Sequence, residues 1–149
     1  MKEQYKNLPL RSGVGIVVLN QKNKIFVAKR IDNPKNFWQM PQGGIDEGED
    51  FLSAAYRELK EETGIKTVSI DNSWESRTEY TFRKKGRKTT KQVYWYIAST
   101  DEVEVNLSEE HTSYLWLDYN DAETMLTFEQ EKRLLRSAIN HMEKSGTIP

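Results

Sequence analysis

Apolar positions along the first third of the chain come in short runs separated by turn residues. Val14 to Leu19 is one such run, Asn20 to Asn23 supplies polar turn residues, and Ile25 to Ala28 resumes the apolar pattern, so a β-hairpin is predicted here. Phe37 to Met40 ends at Pro41, and the following Gln42-Gly43-Gly44 suits a loop whose backbone turns sharply or is closely approached. From Asp50 to Thr63 the period changes: Leu52, Ala55, Tyr56 and Leu59 recur at helical spacing. Acids crowd the first turn and Gly64 stands where helices commonly stop, which predicts a helix over 50–63. Glu75 to Phe82 and Gln92 to Ala98 are rich in aromatic and β-branched residues and flank the basic Lys84-Lys85-Gly86-Arg87-Lys88, predicting a second hairpin. Val103 to Val105 and Tyr114 to Leu117 add strand-like pieces. Near the end, Leu134, Leu135, Ala138, Ile139 and Met142 form a helical apolar stripe suited to covering a sheet, opposed by Glu131, Arg133 and Lys144.

Length and composition narrow this pattern to one α+β domain over 1–149, with no internal repeat, low-complexity tract or linker. The 22 basic and 23 acidic side chains leave a formal net charge of −1, so anion binding must come from local groups. There are no cysteines and only two histidines, which excludes thiolate chemistry and directs any metal towards oxygen ligands. The polar start has no signal-peptide core, and no apolar run approaches the roughly 20 residues that span a bilayer. A cytoplasmic protein is expected, with no membrane association and no obligate protein partner.

Glu58, Glu61 and Glu62 stand at i, i+3 and i+4 of the predicted helix, which brings three carboxylates to one face. Such a cluster repels itself unless a hard divalent cation accepts its oxygens, which points to Mg²⁺, with Mn²⁺ as the alternative. A Glu-x-x-Glu-Glu by itself ordinarily faces solvent. Its setting is what distinguishes it: Gly43, five residues, Glu49, seven residues, then Arg57-Glu58-Leu59-Lys60-Glu61-Glu62-Thr63-Gly64-Ile65. At roughly one-in-fifteen odds for each of seven fixed positions, chance at a given start is on the order of one in 10⁸. The pattern resembles the Nudix box at every defining position. That resemblance implies an α/β/α sandwich around a mixed β-sheet. It implies a loop-helix-loop site in which Glu58, Glu61 and Glu62 hold divalent ions, a backbone carbonyl near Gly43 adds a ligand, and Glu49 with Arg57 braces the helix.

The likeness continues outside the box. Trp38 to Glu49 resembles plant diadenosine tetraphosphate hydrolases and bacterial RNA 5′-pyrophosphohydrolases. Leu107-Ser108-Glu109-Glu110-His111 followed by Tyr114-Leu115-Trp116-Leu117 resembles animal and archaeal diadenosine tetraphosphate hydrolases. Glu110 matches the family's extra glutamate, a metal ligand or general base, with Glu109 its nearest competitor and His111 a weaker candidate. Arg11 and Arg30 occupy places where relatives put substrate-contacting arginines able to fork onto phosphate oxygens; the alternative for both is ordinary surface arginine. Phe128 aligns with a base-stacking aromatic and Tyr94 lies in a strand that offers ring or hydroxyl contacts, against a plain core role for each. Trp38, Trp95 and Trp116 read as core. The basic run Arg83 to Lys91 reads first as a solubilising hairpin tip, and second as a place that greets polyphosphate or RNA backbone.

Two departures from the RNA-processing relatives bear on substrate. Lys91-Gln92-Val93-Tyr94-Trp95-Tyr96 replaces their Gly-Gln-x-Gln-x-Trp-Phe signature, and Glu129 replaces a lysine that follows the aromatic. The sequence therefore predicts first a divalent-metal pyrophosphohydrolase of dinucleoside polyphosphates, converting diadenosine tetraphosphate to ATP and AMP. The alternative is removal of pyrophosphate from 5′-triphosphate RNA ends. In this reading Glu61, Glu62, Glu110 and Arg57 form the catalytic group. A non-catalytic nucleotide-binding module, the reading of another class, would be expected to lose the metal ligands that this chain keeps.

Overall fold

The computed structural model describes residues 10–30, 37–102, 104–109 and 111–148, and within these the side chains of residues 10, 11, 72, 82, 84 and 112 also lie outside the description. The expectations placed on Glu110, Val103 and the Arg11 side chain fall outside the described residues, and Glu104 and Val105, expected to be strand-like, lie in a loop between β-strands.

The opening hairpin forms from β1 (Leu10–Leu19) and β2 (Ile25–Arg30). Asn20 holds its turn by accepting the Lys22 and Lys24 amides on its side-chain oxygen. The two strands pair only at the base, Leu19 opposite Ile25, and then diverge. Into the gap run two very short strands that the apolar pattern did not reveal, β3 (Trp38–Gln39) and β4 (Gln42–Gly44). The first pairs with β2 and the second with β1, while the Ile16 amide bonds to the Pro41 carbonyl at 2.9 Å between them. The motif loop is thereby wedged inside the sheet.

On the other edge of β1 lies β6 (Arg87–Ser99), parallel and in register over ten residues, and β6 pairs antiparallel with β5 (Ser69–Lys84). The β5–β6 turn uses Lys85 and Gly86 at φ of 53° and 77°, the left-handed pair that a two-residue hairpin requires. On the far side β7 (His111–Leu117) pairs with β2. Among the described residues the strands form one seven-stranded sheet, and it is mixed, as the resemblance implies.

Side-chain alternation divides β1 between two cores. Val14, Ile16 and Val18 face α1 (Phe51–Thr63), where they meet Ala54, Ala55 and Leu59. Val17 and Leu19 face the other way, with Trp95 of β6, towards Leu135, Ala138 and Met142 of α3 (Glu129–Ser145). Burial on both faces explains the near-continuous apolar run of β1. A short α2 (Tyr119–Met125) closes the second core with Ala122. It carries no apolar stripe in sequence, with Ala122 its one buried residue, and so leaves no helical period to read.

Two details of the predicted helices change. Asp50 is the N-cap of α1, accepting the Ser53 amide at 2.7 Å, so the acids gather before the first turn, which itself contains none. Glu131, read on the polar side of the last helix, is fully buried. Its Oε1 takes the Met40 amide at 3.0 Å across 91 positions of chain, which binds α3 to the wedged loop.

Candidate functional site

The site is built where the wedged loop meets the face of α1. Asp50 begins the helix and Gly64, at φ 74°, ends it with its amide on the Lys60 carbonyl, so the rotation of every side chain between is fixed. Arg57 then reaches back over the preceding loop. Its Nε and Nη2 grip the two oxygens of Glu49, each at 2.8 Å, and Nη2 also donates to the Gly44 carbonyl at 2.8 Å. Nη1 donates to Glu58 at 2.8 Å and to Glu61 at 3.1 Å, and Asp46 stands 3.3 Å from Nε. One guanidinium thus ties the loop to the helix.

The charges follow the contacts. Hydrogen bonding to Arg57, aided by the Asp46 amide, holds the Glu49 carboxyl down at about 2. Arg57 is shifted upward, chiefly by Glu49 and then by Glu58, against the cost of its own partial burial. The Glu49–Arg57 brace inferred from the family resemblance has these contacts in the fold.

Glu58 and Glu62 enter a cleft of about 540 Å³. The Glu58 carboxylate lies against Gly43 so closely that a Cβ built there would stand 2.0 Å from it, which explains why the loop carries glycine. Glu62, 5% exposed, accepts the Gln42 amide at 3.1 Å. Glu61 is more than half exposed and turns to Arg57. Among the described residues no three carboxylates or imidazoles form a ready metal shell, because Arg57 draws Glu58 and Glu61 while Gln42 holds Glu62. The donor chemistry nevertheless fits a hard divalent cation: Gly43, Glu58 and Glu62 line one cleft, and the chain has no thiolate to compete.

The opposite wall carries positive charge and rings. Arg30 lines the cleft, with its amide on the Phe37 carbonyl and its strand neighbour His111 across on β7. Phe128 precedes α3 and meets Phe37 edge to face, ring centres 4.8 Å apart, both at the cleft. Tyr94 is on the α1 side of β6, stacked on Phe51 at 4.4 Å, and its hydroxyl donates to Gln92; its ring does not line this cleft. Glu109 belongs to the turn before β7, where the His111 amide bonds to the Ser108 carbonyl. The Ser108 amide in turn bonds to the Glu62 carbonyl at 3.1 Å, which brings that turn to the end of α1.

Gln42, Gln39 and Phe37 line the cleft without having been given a role in sequence, and so does Lys91, which the sequence marks only as the end of the basic run Arg83 to Lys91. For Lys91 the signal was present: it shares strand parity with Val93, Trp95 and Ile97, and so points to the α3 face. Glu131 stands behind the cleft with Oε2 lacking a partner among the described residues, and burial pushes its carboxyl up to about 8.

A loop wedged between diverging strands, braced by a Glu–Arg pair against a carboxylate-bearing helix, defines a class, and a NUDIX domain model matches residues 9–137. The chain belongs to the NUDIX family and is a hydrolase acting on pyrophosphate bonds, a family that works with a divalent metal ion. Among curated proteins it is 47% identical over 130 residues to an RNA pyrophosphohydrolase of Pelagibacter ubique, covering 79% of this chain and 82% of that protein. An RNA pyrophosphohydrolase of Orientia tsutsugamushi is 33% identical over 153 residues, covering 93% and 92%. Among solved structures, a C. elegans Ap4A hydrolase binary complex superposes with a TM-score of 0.75 at 26% identity, covering 90% of this chain and 98% of that one. No helix among the described residues is long and apolar enough to cross a membrane.

Proposed function

We propose that this protein removes pyrophosphate from the 5′-triphosphate end of RNA, with Mg²⁺ as the working cation. The observation that carries this reading is the 47% identity, across about four-fifths of both chains, to a protein named RNA pyrophosphohydrolase. It reverses the order suggested by Glu129 and by the altered β6 signature. Lys91 offers a different origin for the lost charge: it reaches from β6 the same cleft that Phe128 lines just before α3.

In this reading Glu58, Glu61 and Glu62, the Gly43 carbonyl and Glu110 hold the metal. Bound there, the cation supplies charge neutralisation for the phosphates and acidifies water. Arg57 and Glu49 keep the ligand-bearing helix and the loop in fixed relation, so the reacting groups meet without reorganisation. Lys91, Arg30 and Arg11 take phosphate oxygens, while Phe128 and Phe37, packed edge to face at the cleft, offer exposed ring surface on which the terminal base stacks. Glu110 accepts the proton of the attacking water. The anhydride between the α- and β-phosphates breaks, leaving a monophosphate end and free pyrophosphate.

A second reading, cleavage of diadenosine tetraphosphate to ATP and AMP, is supported by the structural likeness to the C. elegans enzyme. The two are separated by measuring kcat/KM for triphosphate RNA and for diadenosine tetraphosphate with the same preparation in Mg²⁺. RNA is expected to be the better substrate, and a clear preference for the dinucleotide overturns the assignment.

A further inference from the structure

The β5–β6 hairpin segregates charge in a way that solubility does not require. From Tyr80 to Lys91 the chain places six of its 22 basic side chains and none of its 23 acidic ones, so the remainder carries 16 against 23, a balance of −7. A strand edge is protected from aggregation by charge of either sign, and a mixed tip would serve a nearly neutral protein equally well. A single-sign arm on an oppositely charged body instead produces a local field. Arg83, Lys85, Arg87 and Lys88 are exposed, and the turn lies beyond the last described pairing of β1 with β6, Leu10 opposite Thr90.

The arm also begins at the site. Lys91, its innermost cation, lines the cleft and its side chain passes within 3.6 Å of a Cβ built on Gly13, the residue paired with Gly44. From Lys91 to Arg87 is four strand residues, about 13 Å at ~3.3 Å per residue. A ligand whose charge ends at its reactive phosphates meets Lys91 alone. A ligand with further phosphates spaced along a chain reaches Arg87, on the same strand face as Lys91, and then the exposed tip, where Lys85 sits in the turn and Lys88 with its cross-strand partner Arg83 carries the charge on the other face.

We propose that the β5–β6 arm is a docking rail for the sugar-phosphate backbone of the RNA downstream of the 5′ end held in the cleft. The proposal rests on the RNA reading above and deepens it: the cleft selects the triphosphate end, and the arm adds sequence-independent affinity by displacing counterions.

The test replaces Arg83, Lys85, Arg87 and Lys88 together with glutamine and uses two substrates, a 5′-triphosphate dinucleotide and a long 5′-triphosphate single-stranded RNA. The variant is expected to retain its thermal midpoint and wild-type kcat/KM on the dinucleotide. On the long RNA it is expected to lose roughly tenfold or more at low salt, with the slope of log kcat/KM against log salt flattened by about 3, the value for four lost contacts at about 0.7 each. Equal length preference and equal salt slope in the two proteins overturn the arm. Binding of a long 5′-monophosphate RNA, followed by fluorescence anisotropy, separates this from the parent reading. If the wild type hydrolyses no triphosphate RNA, the parent reading falls, while weaker binding by the variant upholds the arm and equal binding refutes it.

Discussion

The wedged loop is held from two sides by glutamates in opposite electrostatic circumstances. On the α1 side Glu49 is gripped by both arms of a guanidinium and its carboxyl sits at about 2. On the α3 side Glu131 has no water-exposed surface, and burial pushes its carboxyl up to about 8 against the opposing pull of the Met40 amide, the Gln42 side chain and the Lys91 charge. The same functional group is therefore a fixed negative charge on one flank and a neutral hydrogen-bonding peg on the other at neutral pH. The charged flank faces the chemistry, and the neutral flank fastens the loop without adding another negative charge to a cleft that must accept phosphate.

This contrast can be broken most severely at the charged flank. Glu62→Gln is expected to lower kcat by about 10³-fold or more with the thermal midpoint retained, because it removes half the charge donated into the cleft by Glu58 and Glu62. Near-normal turnover of that variant in saturating Mg²⁺ would refute the metal assignment. Arg57→Lys comes next, at about 10²-fold in kcat, since an ammonium cannot grip both Glu49 oxygens while also reaching Gly44, Glu58 and Glu61. Steady-state kinetics alongside the wild type decides it.

Gly43→Ala probes the seam between the flanks. The new methyl meets the Glu58 carboxylate, the movable end of a flexible side chain, so roughly tenfold of kcat is expected to be lost while the fold survives. Equal kcat in the two proteins, measured at saturating substrate, would show that Glu58 does not need that position.

Glu131→Gln is expected to leave turnover nearly unchanged and instead to alter stability with pH. The folded carboxyl titrates near 8 against an ordinary 4.5, so the native state holds the proton more tightly and wild-type stability falls as pH rises from about 4.5 to 8. The glutamine variant lacks that slope and should exceed the wild type by a few kcal/mol above pH 8, with little difference near pH 4. Glu49 has the reverse sign: its contribution is present above about 4.5 and is lost as pH falls towards 2. Denaturant melts across pH would sink the comparison if the Glu131→Gln and wild-type curves ran parallel.

What could be read in sequence was what local chemistry dictates. Asp50 and Gly64 bound α1 because capping is decided by neighbouring residues. The pairing of Glu49 with Arg57 followed from a motif whose spacing already contained the loop and the helix, whereas the pull of Arg57 on Glu58 and Glu61 did not. Long-range placement was hidden. The pairings of β3 and β4 with diverging strands, over two and three residues, are too brief to leave a period. Glu131 looked solvent-facing because its partner, the Met40 amide, is a backbone group with no signature. Tyr94 drew attention as an aromatic in the expected strand, yet parity put its ring on the α1 face against Phe51, while Lys91, three positions earlier, took the cleft face.

The ten-residue parallel ladder between β1 and β6 has a consequence for how the molecule comes into being. It joins Leu10 to Thr90, and the loop that carries Gly43 lies between them in sequence, awaiting a fastening from Glu131 later still. Parallel pairing across 80 positions rewards the chain only after a large closure, so assembly is governed by distant meetings rather than by early local structure. During synthesis the helix bearing Glu58, Glu61 and Glu62 emerges well before its surroundings exist. A nascent chain stopped short of α3 would possess the whole motif and lack the Glu131 peg that fastens its loop.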